Sequence, residues 1–194
     1  DKVDYLKRLI DSIISLTSYK TYEIIIVDHN SEQLETAEYL DSISSSYKNI
    51  KVIKYTDEFN YSKMNNFAVS KSKGDYLVFL NNDIEVIEDD WIERMLYFSY
   101  QNNISIVGAK LLYPNNQVQH CGITIGTYSS TGHFQRNTYA TDPGYMNTLK
   151  YPREVLALTG ACIMVNKNKY KLLGGFNEKF KIIFNDVDLC LKAY

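Results

Sequence analysis

Cysteine is scarce here, and badly spaced for either of its structural uses. The three thiols, Cys121, Cys162 and Cys190, are odd in number and form no CxxC pair. A disulfide framework and a cysteine zinc site are therefore set aside, and reduced, buried thiols are expected. Charge of one sign is equally lacking. The 21 Lys and Arg against 23 Asp and Glu leave a formal charge of -2, with no basic block, so there is no electrostatic footprint for a nucleic-acid backbone. No apolar run approaches the roughly 20 residues of a membrane-crossing helix. The opening DKVDYLKR is not a basic region followed by an apolar one, so no secretory leader is read and the cytoplasm is the expected compartment. No strand candidate runs into GxGxxG and there is no GxxxxGK[ST], which argues against dinucleotide-binding and P-loop chemistry. With no internal repeat and no linker composition, a single domain over 1–194 is expected.

What is present is a regular alternation of helix and strand patterns. Leu6, Leu9, Ile10, Ile13 and Leu16 recur at helical spacing, predicting an amphipathic helix over 4–16. EIIIV is an isoleucine-rich run too short for a helix, as expected of a strand covered on both faces. Asn30 with Gln33 reads as the cap of a second helix, whose stripe is Leu34, Ala37 and Leu40. Strands are expected at 50–55, at DYLVFL, at ISIVGAKLLY, at VQHCGITIGT as its hairpin partner, and at LTGACIMV. Helices are expected at 60–71, 92–98 and 167–173, and from FNDVD onward. Val187, Cys190, Leu191 and Tyr194 form the packed face of the last helix and leave Asp186 in its first turn, off that face. Residues 128–152 are polar and aperiodic, the pattern of a functional loop. Alternating strands and helices imply a mainly parallel sheet with ligands beyond the carboxyl ends of its strands. That rule puts Asp28, ending EIIIV, and Asp83, just past YLVFL, on one rim.

Five strings carry a family resemblance. EIIIVDHNS, FNYSKMNNFAVSKSKGDYLVFLNNDIEV, QHCGITIG, LTGACIMVNKNKYKLLGGF and FNDVDLCLKAY, in this order and spacing, closely resemble family 2 glycosyltransferases of the GT-A fold. The resemblance implies an α/β, Rossmann-like nucleotide-diphospho-sugar transferase sandwich. It also implies an inverting transferase of hexosyltransferase type that moves a sugar from a nucleoside diphosphate to a hydroxyl, in surface polysaccharide synthesis. By the same resemblance Asp28 matches the aspartate on the donor base, with Asn30 and Ser31 in its turn and Lys63 and Asn66 near the donor. Asn81, Asn82 and Asp83 stand where the family carries its acidic metal motif. Asp83 is the implied ligand of Mn²⁺ or Mg²⁺ and Asn82 a nucleotide contact. One aspartate suffices chemically, because Mg²⁺ takes one or two carboxylates and keeps waters. FNDVDLC matches the segment of the catalytic base, with Asp186 as that base and Asp188 its local competitor. Thr159, Gly160 and His120 are candidate sugar or acceptor contacts, while His133 flanks the long loop and His29 reads as a loop residue.

The expected partners are a nucleotide-sugar donor and a saccharide or lipid-linked saccharide acceptor. Peripheral attachment at the inner membrane face and a homodimer are compatible with this. The chain lacks the family's usual first strand and the segment after the base, so a domain truncated at both ends is expected. The alternative reading is a non-catalytic nucleotide-sugar or glycan-binding module.

Overall fold

A computed structural model of the chain describes residues 2–101, 103–127 and 130–194. Its strongest element is β9 (Cys162–Asn166), whose residues Cys162 to Val165 are all at most 4% exposed. It runs antiparallel between β3 (Tyr76–Leu80) and β4 (Ile106–Gly108). Successive side chains of a strand point to opposite faces, so β9 feeds two cores. Ile163 and Val165 pack with Leu77 and Phe79 of β3, with Val69 of α3 (Tyr61–Lys71), with Tyr170 of α5 (Lys167–Leu172), and with Phe176 and Leu189. Cys162 and Met164 pack on the other face with Ile92, Met95 and Leu96 of α4 (Trp91–Ser99). Helices thus cover both sides, and burying each of these aliphatic side chains contributes roughly 1.5–3 kcal/mol.

β3 and β4 both oppose β9 and so run parallel to each other, as a helix crossover demands. β1 (Ile24–Asp28) and β2 (Ile50–Lys54) form a separate parallel pair. It is covered by α1 (Val3–Leu16) and α2 (Leu34–Ser46) through Ile10, Ile43 and Ile50. β1 is half-buried along its whole length rather than covered on both faces. Among the described residues it pairs with β2 alone.

Several local expectations are corrected. α2 starts at Leu34 after Gln33, so Asn30 does not cap it. Asn30 instead sits in the preceding loop at φ 50. Leu34 is 73% exposed, and the buried stripe is Thr36, Leu40 and Ile43. ISIVGAKLLY is broken into β4 and β5 (Leu111–Leu112), and VQHCGITIGT into β6 (Val118–His120) and β7 (Ile123–Thr127). Gly122 makes the second break: its φ is +121, and a Cβ there would lie 2.7 Å from Val155 Cγ1, so only glycine fits. The start of the expected loop is strand, since β7 pairs antiparallel with β8 (Ser130–His133). Tyr128 and Ser129 lie outside the described residues. The last helix, α6 (Asn185–Ala193), packs by Val187, Leu189 and Cys190, while Leu191 and Tyr194 are exposed. All three cysteines are free, with Cys162 and Cys190 buried and Cys121 half-buried.

Candidate active site

The start of β9 and the start of α6 meet at one carboxylate. Gly160 N–H donates to Oδ2 of Asp186 at 2.8 Å, and Val187 N–H donates to its Oδ1 at 2.8 Å. Two fixed donors orient the group while leaving lone pairs on both oxygens. A Cβ added at Gly160 would sit at van der Waals contact, 3.4 Å from Tyr61 Oη and 3.5 Å from Asp186 Cβ, so a methyl fits here but fills the space beside the carboxylate. Tyr61 donates its hydroxyl to Gly160 O at 3.3 Å. Burial, then the Asp186 charge, pushes that phenol up to about 12, which keeps it a donor. The competitor Asp188 is taken up by Lys192 at 2.7 Å one helical turn on. Asp186 is thus the aspartate of the pair aimed at the rim.

The rim is shared with the end of β3. Leu80 registers with Cys162, and Asn81 N–H donates to Ala161 O at 3.0 Å. Asn82 and Asp83 follow as an exposed turn. The segment beyond is fastened to α1: Val86 N–H donates to Ser12 Oγ at 3.0 Å, and Trp91 Nε1–H donates to Thr17 Oγ1 at 3.0 Å. Among the described residues Asp83 makes no ion pair, and no cluster of three His, Cys, Asp or Glu is present. One free carboxylate flanked by amide oxygens fits a hard cation that takes its remaining ligands from water and a diphosphate.

Asp28 ends β1 and accepts from Ser31 N–H at 3.1 Å. His29 and Phe59 meet edge-on at 5.5 Å, His29 lies 6.0 Å from the Tyr55 ring, and Tyr55 in turn lies 5.8 Å from Phe67. This ring cluster beside Asp28 was not read from the sequence, where His29 is simply a loop residue. Lys63 is exposed in the first turn of α3, its N–H capped by Asn60. Asn66 is committed to the protein. Its Nδ2 donates to Phe176 O at 3.0 Å and Glu178 Oε1 at 3.1 Å, and its Oδ1 accepts from Tyr170 Oη at 2.6 Å and Phe176 N at 3.1 Å.

His120 is 1% exposed and joins Thr159 to His133. Thr159 N–H donates to His120 Nε2 at 3.3 Å, and the two Nδ1 atoms of His120 and His133 lie 2.9 Å apart. A nitrogen that accepts carries no proton, so this network assigns the His120 proton to Nδ1, which donates to His133 Nδ1; the His133 proton is then on Nε2. Burial, followed by the charges of His133 and Arg153, holds His120 down to about 4, and burial and Arg136 also lower His133. The pairing joins residues 13 apart across two hairpins, which no spacing rule reveals.

The structure therefore brings Asp186, Gly160, Thr159, His120 and the Asn81–Asp83 turn to one edge. Asp28, Asn30 and Ser31 occupy the end of β1, with Lys63 and Asn66 on α3.

The comparisons agree with this architecture. GalNAc-T7, solved with UDP, GalNAc and Mn²⁺, matches with a TM-score of 0.75 over 98% of this chain and 38% of its own, at 16% identity. The fold is thus the GT-A sandwich of glycosyltransferases. The profile of glycosyl transferase family 2 matches residues 2–174, and the chain belongs to that family. Protein y4gI of Sinorhizobium fredii is 35% identical over 194 residues, which is 100% of this chain and 21% of y4gI. The O-antigen biosynthesis protein RfbC of Myxococcus xanthus is 32% identical over 195 residues, 99% of this chain and 15% of its own length. The chain thus spans about a fifth or less of these two relatives. Among the described residues no helix is long and apolar enough to cross a membrane.

Proposed function

We propose that the chain carries the catalytic domain of an inverting glycosyltransferase that moves a sugar from a nucleoside diphosphate to an acceptor hydroxyl in surface polysaccharide synthesis. The observation that carries this is the Asp186 carboxylate, gripped by two backbone N–H groups and opening on the same rim as Asp83. Asp186 accepts the proton of the acceptor hydroxyl as that oxygen attacks the anomeric carbon, a role that demands orientation first. The single displacement inverts the anomeric centre and releases the nucleoside diphosphate. Asp83, with Asn82 beside it, would hold Mn²⁺ or Mg²⁺, which when bound neutralises charge growing on the leaving diphosphate. The Mn²⁺ in the GalNAc-T7 complex supports this choice of ion.

Asp28 and Ser31 take the base, with the His29–Phe59 rings beside them. Asn30 and Lys63 border the same region, Lys63 offering charge to the diphosphate. Asn66 acts one step removed, by fixing the segment from Phe176 to Glu178. Thr159, Gly160 and His120 shape the sugar and acceptor side. The test is calorimetry with UDP and GDP, with and without Mn²⁺. Metal-dependent binding that Asp83→Ala removes supports the reading, and binding indifferent to both contradicts the metal assignment.

A further inference from the structure

A group of polar side chains next to the Asp186 rim plays no part in the transfer step itself. A cavity of about 200 Å³ opens there, bordered among others by Tyr113, Gln119, His120, His133, Arg136 and Thr159. All of its walls come from residues 81–161. Asn81 and Ala161 complete the lining, so the cavity adjoins the Asn82–Asp83 turn, while among the described residues nothing from β1 to α3 lines it. Its size is below the roughly 300 Å³ at which pockets for whole small molecules begin, so it suits one substituent of a larger ligand.

The formal charge on these walls has one sign. His120 spends both nitrogens internally, on Thr159 N–H and on His133. His133 keeps its proton on Nε2, and the residue is exposed. Arg136 Nε–H donates to Tyr113 Oη at 2.7 Å. The tyrosine, having accepted, keeps its own O–H to give, and the rest of the guanidinium remains available as a planar fork of donors. Asp186 acts on His133 from the neighbouring rim, oriented there by two backbone N–H bonds, but it does not line the cavity. Among the described residues no carboxylate lines the cavity. Gln119 and Asn81 add amides that can donate or accept, so the one formal charge on the lining is the positive charge of Arg136, with the His133 and Tyr113 protons beside it, the complement of an anion.

We infer that this cavity is the subsite for an anionic group, a carboxylate or a phosphate, carried by the acceptor saccharide. The inference rests on the glycosyl-transfer reading. It deepens that reading by adding a substrate class: an acceptor with a uronic acid or a phosphate substituent near its nucleophilic hydroxyl. Arg136 and His133 then act as specificity residues, and Thr159, bonded to His120 and adjacent to Gly160, links the subsite to the base.

The experiment is an NMR titration read at the histidine rings, three in the chain, with methyl β-glucuronide, glycerol 3-phosphate and uncharged methyl β-glucoside. UDP and GDP with Mn²⁺ are titrated in parallel. At least one anion should bind tenfold or more tightly than the glucoside and shift the His120 and His133 signals; which anion does so separates carboxylate from phosphate. Arg136→Gln, at an exposed position, should erase that preference and leave nucleotide binding unchanged. Equal binding of all three probes, or a preference that survives Arg136→Gln, would overturn the proposal. A parallel loss of nucleotide binding in Arg136→Gln would also overturn it, by making the anion the donor diphosphate. If neither nucleotide binds while the anion preference persists, it is the transferase reading that fails, and the acceptor assignment falls with it.

Discussion

The backbone N–H of Gly160 reaches Oδ2 of Asp186 at 2.8 Å, and this one bond ties a strand start to a helix start 26 residues away. Because the donor is backbone, the carboxylate proposed as the base can be oriented without any second side chain. Gly160 is also the narrow point, with Tyr61 and Asp186 on either side. Gly160→Ala should fold, since a Cβ there meets nothing closer than 3.4 Å. The added methyl occupies space beside the base, so kcat/KM should fall at least about tenfold. Steady-state kinetics alongside thermal unfolding checks this, and an unchanged kcat/KM would show that substrate does not pass this point.

Asp83 is exposed and free of ion pairs among the described residues, so its replacement should cost little stability. Asp83→Ala should lower UDP or GDP affinity at least about tenfold in Mn²⁺ and abolish the difference between Mn²⁺ and chelator. Calorimetry decides it, and a variant that keeps its metal dependence would move the metal ligand elsewhere.

Asn66 should behave as a structural residue. Removing its amide leaves Tyr170 Oη without its acceptor and Phe176 O without that donor, while Phe176 N keeps Tyr170 Oη, a loss of roughly 2 kcal/mol. Asn66→Ala should show that loss in urea unfolding while nucleotide affinity stays within about threefold. Full stability with a tenfold loss of affinity would restore it to direct donor contact.

His120 gives the protein an acid-side weakness. Its ordinary pKa is 6.5, and in the fold it is held near 4 by burial and by His133 and Arg153. Above about pH 6.5 neither state carries the proton and stability is complete. As pH falls toward 4 the unfolded chain takes it up first, so stability is lost, by up to roughly 3 kcal/mol. Denaturant unfolding at pH 7.5 and pH 5 should show a smaller pH difference in His120→Gln than in the parent. Equal differences would mean that His120 is not held neutral.

The elements with strong periodicity were legible. α1, α3, β3 and β9 lie within a few residues of their expected places, because each buries a regular face in one of the cores. Asp186 was equally legible as a first-turn residue off the packed face, although that face uses Leu189 where Leu191 and Tyr194 were expected. α6 is only 9 residues long, too short for periodicity to fix its phase. The hairpins were not legible. Their strands break at Ala109–Lys110 and Gly122, and the register shifts at Leu111/Leu112 and Ile125/Thr127. A bulge moves one residue to the other face, so the meeting of His120 with His133 depended on irregularities that hydrophobic pattern does not carry. β9 running against its neighbours was hidden for a different reason: a continuous buried run looks the same in either direction.

Transfer by this site depends on Asp186 acting as the base. The direct measurement is transfer from a nucleoside diphosphate sugar by the parent, Asp186→Asn and Asp188→Asn, with nucleotide binding measured on all three. Asparagine keeps an oxygen that can accept the backbone bond but cannot take up the proton. Asp186→Asn should therefore lose roughly 10²- to 10⁴-fold in kcat, with nucleotide affinity unchanged and Asp188→Asn near the parent rate. Full transfer by Asp186→Asn, or an equal loss in Asp188→Asn, would contradict the account.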